Sequence, residues 1–200
     1  LYEEILKLFL RGSARAVYGL RADSGLLSAL FPALDRWLAD HEERRAVLEA
    51  NLAALDRLVL GSTDPTPALF LATLFGPFLE DDVLAHSREG IPHLQALDAA
   101  CEVFMKELCA VVTIPARIGG RLRSILAFQP ALHRMPPRRP AAMIRRPDFN
   151  DAMTYLLITA ATRKENRVPL QWWQAFLAAP QIVPVTGTSA EESPAKHRRK

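Results

Sequence analysis

Residues 94–112 read LQALDAACEVFMKELCAVV, and their apolar members Leu94, Leu97, Cys101, Phe104, Met105, Leu108 and Val112 recur at steps of three and four. That is the spacing of one face of a helix, and it predicts a long amphipathic helix with these side chains buried. The same spacing governs the neighbouring segments. Leu1, Ile5, Leu8 and Phe9 make the stripe of a first helix that Gly12 ends, and Ala14 to Leu20 follow as a second. Leu48, Leu52, Leu55, Leu58 and Val59 face inward on a long helix over 41–60, which Gly61 stops. Ala68 to Phe75 is apolar enough for a core helix that Gly76 and Pro77 bend or end, with a further helix over Val83 to Arg88. Arg121 to Phe128, Ala141 to Arg146, a helix capped by Asp148 and a last helix opened by Pro169 complete the pattern. Strand-like alternation is almost absent. The chain therefore reads as all-α, an irregular multi-helix body with a basic helical region after it and a disordered tail over 181–200.

An apolar share of 50% over 200 residues is that of a chain with a core, which excludes disorder for most of the length. The strongest apolar run, Pro67 to Leu79, is too short to cross a bilayer and holds Pro77, so no membrane partner is expected. No charged segment precedes a cleavable apolar one at the start. Cys101 and Cys109 are eight positions apart, about 12 Å along one helix and too far to bridge. Both read as buried structural thiols in a reducing, cytoplasmic setting. The chain starts at Leu1 inside a pattern that is already amphipathic, which reads as a piece of a longer protein.

A net charge of +3 hides an asymmetry. Residues 1–114 hold ten Lys and Arg against seventeen Asp and Glu, whereas residues 115–200 hold fifteen against five. Between Arg117 and Arg146 lie eight arginines and no acid: Arg117, Arg121, Arg123, Arg134, Arg138, Arg139, Arg145 and Arg146. Guanidinium groups make planar, bidentate contacts with phosphate, so the fitting partner is a polyanion. The blander reading is a solvated helix surface, and the absence of balancing acids counts against it. The chain divides accordingly into a body over 1–114, a basic region over 115–180 and the tail.

Chemistry beyond binding is missing. The His residues are scattered, with no CxxC, HxxxH or HExxH spacing, so no metal site is expected. His86 and His93 near Glu80, Asp81 and Asp82 come closest, but Gly90 and Pro92 interrupt any helix joining them, and they read as surface loop residues. Ile118-Gly119-Gly120 lacks the Lys-Ser/Thr ending of a phosphate loop. No Ser or Cys has a His and an acid in a recognised arrangement. Trp172 and Trp173 admit stacking on RNA bases. The spacing favours Trp173 packed inward with Phe176 and Leu177, and Trp172 half buried at the helix edge.

Seven segments in order carry a resemblance. They are Leu-Tyr-Glu-Glu-Ile-Leu-Lys-Leu at 1–8, Gly25-Leu-Leu-x-x-Leu-Phe-Pro32, Pro67-Ala-Leu-Phe-Leu-Ala-x-Leu-Phe75, Ile114-Pro-x-Arg117, Leu132-x-Arg134-Met135, Arg146-Pro-x-Phe149 and Trp172-Trp173. Together they resemble the C-terminal half of the bacterial poly(A) polymerases, nucleotidyltransferases that also include the class II CCA-adding enzymes. The resemblance implies a catalytic head elsewhere, with two carboxylates, ATP and Mg²⁺, a neck that selects the base, and a helical body that holds RNA. No cofactor is then expected in this chain, and Glu4 and Lys7 are scaffold at the end of the neck. It also implies the eight arginines as RNA-binding, RNA 3′ ends as substrate, and protein partners of RNA decay. Gly119 and Gly120 stand where the family more often has Thr or Ser, and Arg134 to Pro140 reads as a stiff loop in place of a longer basic helix. The expected function is the noncatalytic, RNA-binding portion of an enzyme that adds AMP from ATP to RNA 3′ ends in polyadenylation and RNA processing. Two alternatives stand beside it: part of a CCA-adding enzyme acting on transfer RNA, against which the Ile-Pro-x-Arg and Arg-Met elements argue, and a helical adaptor whose acidic half binds a protein.

Overall fold

The computed structural model describes residues 2–179, without the side chains of residues 21–23. The expected tail at 181–200 and its basic end lie outside the described residues. Among the described residues eleven α-helices follow one another: α1 (Tyr2–Phe9), α2 (Ala14–Asp23), α3 (Leu26–Leu30), α4 (Pro32–Leu38), α5 (Glu42–Leu60), α6 (Pro67–Arg88), α7 (His93–Val111), α8 (Ala116–His133), α9 (Pro140–Ile144), α10 (Phe149–Thr159) and α11 (Arg167–Ala178). A single 3-10 turn, Lys164–Asn166, precedes the last. No strand occurs among the described residues. The all-α reading from helical periodicity holds. No helix among them is long and apolar enough to cross a membrane.

The helices are arranged around α6. Thr66 starts it, its hydroxyl oxygen accepting from the Leu69 N–H at 3.1 Å while its O–H donates to Asp151 Oδ2 at 2.9 Å. Pro67 follows at the first position, where a missing N–H costs nothing. Every residue from Ala68 to Pro77 is buried, because α5, α7, α8 and α10 pack around this helix. Of the two outcomes expected at Gly76-Pro77, a bend or an end, the end does not occur. Helix α6 runs unbroken for 22 residues with Pro77 inside it, and the segment 83–88 is its last turn and a half. The physical reason is tertiary: the surrounding helices hold the axis where Pro77 removes one backbone bond. Gly76 serves that packing. A Cβ there would stand 2.3 Å from the Tyr155 hydroxyl oxygen, so only glycine lets α10 lie so close. Tyr155 then donates to Glu80 Oε1 at 3.1 Å, and Glu80 pairs with Arg163. Burial, reinforced by the Glu80 charge, holds the Tyr155 hydroxyl pKa well above its ordinary value.

Helix α8 joins two apolar clusters. Its Ile118, Leu122, Ile125 and Leu126 face the large core that α6 and α7 build. Its Phe128 and Leu132 face a smaller one with Phe149, Met153 and Leu156 of α10 and Trp173 of α11. Trp173 is fully buried, its indole N–H donating to Leu132 O at 3.1 Å, so it satisfies one of the free carbonyls at the end of α8. Trp172 is half buried and stacks on Phe176, centroids 5.1 Å apart and planes 10° from parallel. Both tryptophans match the packing that their spacing predicts.

Five local expectations change. Leu8, on the stripe of α1, and Leu177, expected inward beside Trp173, are 45% and 44% exposed, because each lies at the edge of its helix's apolar face. Leu94 is 53% exposed, since α7 starts at His93 and its first turn overhangs the core. Asp148 takes the N-cap position of α10 without making a cap bond, and its carboxylate faces Arg121 instead. Cys101 is buried as expected but Cys109, two turns on, is exposed. Burial pushes the Cys101 thiol up to about 11, so at neutral pH it stays protonated and unreactive. Maleimide at pH 7 is therefore expected to modify one thiol per folded chain, at Cys109, and Cys101 only after denaturant is added. Equal labelling rates in the folded chain would contradict this placement.

Candidate nucleic-acid interface

The basic region is organised by the apolar face of α8. With Ile118, Leu122, Ile125, Leu126, Phe128 and Leu132 turned inward, the arginines between them are pushed to the flanks. The helix begins at Ala116, straight through Gly119 and Gly120. Gly119 lies against α7, where a Cβ would approach Met105 Cε to 2.8 Å, so its absence lets the two helices touch. After His133 the chain runs through a loop to the short α9, then turns into α10.

The eight arginines do not share one fate. Arg121 donates from Nη2 to Asp151 Oδ2 at 2.8 Å, and its Nε lies 3.9 Å from Asp148 Oδ1. Asp151 is only 8% exposed and also accepts from Thr66. Arg121 thus ties α8 to α10 and to the start of α6. Arg123 is ion-paired with Asp98 of α7, and its hydrogen bond holds the Asp98 carboxyl below the usual carboxylate range. These acids lie outside the arginine-rich stretch in the sequence, and folding brings them to it.

The other six are arranged differently. Arg117, Arg134, Arg138, Arg139 and Arg145 are exposed, and none has a carboxylate partner among the described residues. Arg146 is exposed too and sets its guanidinium 4.6 Å from the centroid of the Phe128 ring, a contact with the π face that leaves its N–H edge available. Arg139 stands in the left-handed region, φ 52°, and its carbonyl accepts from Ala142 and Met143 to begin α9. The end of α8 beneath this loop is braced. His133 lies 2.8 Å from Gln129 O through Nδ1 and 2.8 Å from Asn166 Oδ1 through Nε2, and Asn166 donates to Thr159 at 2.7 Å. A rigid helix end therefore carries a loop of unpaired guanidinium groups. Guanidinium groups without a carboxylate are suited to pairing with anions, and their spread over α8, the loop and the approach to α10 matches an extended polyanion better than a single phosphate.

No group of three or more His, Cys, Asp or Glu that could hold a metal ion occurs among the described residues. His86 and His93 sit on the last turn of α6 and the first of α7 rather than in a loop, with His86 Nδ1 turned back to Asp82 O at 2.9 Å. The residues that sequence reasoning missed are Gln129, Ser87 and Arg163, which line a cleft beside His133. Only contacts between distant helices mark them.

The family described as "Polymerase A arginine-rich C-terminus" matches residues 89–200. Among curated proteins the chain is 25% identical over 205 residues to "Poly(A) polymerase I" of Escherichia coli O157:H7. It is 26% identical over 208 residues to "Poly(A) polymerase I" of Salmonella typhimurium (strain LT2). All of this chain is covered in both alignments, but only 44% of each relative. The chain thus spans less than half the length of the curated relatives it matches.

Proposed function

The chain belongs to the polymerase A arginine-rich C-terminus family, and from that membership we propose that it is the RNA-holding, noncatalytic part of a poly(A) polymerase. The observation that carries the reading is the set of six exposed arginines, Arg117, Arg134, Arg138, Arg139, Arg145 and Arg146, that no carboxylate neutralises among the described residues. These guanidinium groups grip RNA phosphates, while Arg121 and Arg123 hold α8 in place beneath them. Transfer of AMP from ATP takes place on a catalytic head outside this chain. The contribution of this part is to keep the body of the RNA in register so that its 3′ hydroxyl meets the head, an entropic gain rather than a chemical step. Phosphate contacts position without reading sequence.

The test is fluorescence anisotropy of a labelled A-rich single-stranded RNA on the chain over a salt series. Each phosphate neutralised contributes about −0.7 to the slope of log K on log salt for single strands, so six contacts give about −4. A slope near that value supports the grip. Absence of binding at low salt, or a slope near zero, overturns it.

A further inference from the structure

A cleft of about 450 Å³ opens between the second half of α6, α8 and the 3-10 turn, a volume within the range of small-ligand sites. Val83, Leu97, Leu126 and Pro130 supply apolar wall. Two of its polar side chains are incomplete: Oε1 of Gln129 and Oγ of Ser87 are buried and have no hydrogen-bond partner. Gln129 is 7% exposed, and its amide cannot turn over. Its Nε2 donates to Ile125 O at 3.0 Å and to Ala152 O at 3.1 Å, so a flip would set oxygen against two carbonyls. The orphan is therefore an acceptor in want of a donor, a state that destabilises a folded chain unless something fills it.

The electrostatics narrow the occupant. Glu165 and Asp81 line the same cleft, Asp81 already accepting from the Trp37 indole N–H and pairing with Arg44, and Glu80 is spent on Tyr155 and Arg163. Carboxylates repel phosphate and welcome N–H groups. His133 also lines the cleft, and the next residue is Arg134, the first of the unpaired arginines in the loop.

We propose that the cleft receives one unpaired nucleobase of the bound RNA, with its amino N–H donating to Gln129 Oε1 and its adjacent ring nitrogen accepting from the Ser87 O–H. This rests on the RNA-holding reading above. Adenine and cytosine carry that amino-and-ring-nitrogen pair on one edge, and uracil lacks the amino group. The surface of arginines supplies affinity, and the cleft adds a base preference that phosphate contacts cannot give.

The experiment measures binding of the chain to three labelled RNAs of equal length: oligoadenylate, oligouridylate, and an oligomer whose positions are abasic. Oligoadenylate is expected to bind about threefold to tenfold more tightly than the other two, the value of one or two hydrogen bonds. Ser87→Ala and Gln129→Met are each expected to reduce that preference while leaving affinity for the abasic RNA and the salt slope unchanged. Ser87→Thr, which keeps the hydroxyl, is expected to retain it. Free adenosine is expected to compete away the preference without releasing the abasic RNA, which distinguishes a base site from a site needing the whole strand. Thermal unfolding of both variants checks that they fold, and Ser87→Ala stands alone if Gln129→Met does not. Equal binding of all three RNAs, or a preference that survives Ser87→Ala in a folded chain, overturns the base site and leaves the arginine grip standing. Failure of every RNA to bind overturns the RNA-holding reading itself.

Discussion

Changing Arg134, Arg138 and Arg139 together to Glu is expected to lower the affinity of the chain for oligoadenylate by at least about a hundredfold at low salt. Three charge-assisted contacts, each worth roughly 1.5–3 kcal/mol when lost, account for that magnitude before the added repulsion is counted. The melting temperature is expected to stay close to that of the unaltered chain, because these side chains are exposed and pair with no acid among the described residues. Arg121→Ala supplies the contrast. It strips Asp151, 8% exposed, of its 2.8 Å partner and leaves Thr66 as its remaining side-chain donor. Its effect is expected on stability, by about 1–3 kcal/mol, with RNA affinity nearly unchanged. Anisotropy and thermal unfolding on the two variants separate the arginines that grip from those that brace. Undiminished binding by the triple variant would refute the assignment of the loop as the grip.

Gly76→Ala is expected to be the most damaging single-atom addition in the body. The new Cβ would lie 2.3 Å from the Tyr155 hydroxyl oxygen and 2.8 Å from Cζ, within the buried stretch Ala68–Pro77 of α6. Tyr155 is 1% exposed and cannot swing away without abandoning Glu80, whose other partner is Arg163. Overpacking and a broken buried hydrogen bond together cost about 3 kcal/mol or more, a fall of roughly 10 °C in Tm for a chain of this size. Tyr155→Phe removes the nearer clashing atom, so the double variant is expected to be less destabilised than the two single effects combined. A Gly76→Ala chain with unchanged Tm would mean that α6 and α10 do not cross as closely as described.

The helical class was readable from the stretch 94–112. Steps of three and four in Leu97, Cys101, Phe104 and Leu108 are a local property, imposed by the 3.6-residue turn, and each of these four is buried in α7. The basic character of the stretch from Arg117 to Arg146 was equally plain, since charge is counted without folding. Pro77 misled because its local effect, one lost bond and a ring clash, is real but small beside the packing of four helices around α6. Cys109 misled for a different reason. Eight residues turn a helix about 80° past two full turns, so Cys109 leaves the face of Cys101 for solvent while Leu108 and Val112 on either side of it stay in the core.

What the sequence determined by itself is therefore the class of the fold, the order of segments that places the chain in its family, and the location of the positive charge. The tertiary structure alone decided which of those charges is available. Asp98 comes to Arg123 from α7, and Asp148 and Asp151 come to Arg121 from α10. The orphaned Gln129 acceptor likewise exists only because Ala152 O and Ile125 O take both amide protons. Helical periodicity reports which way a side chain faces on its own helix. Pairing and desolvation depend on what stands a few ångströms away in space, and that is set by how the helices pack.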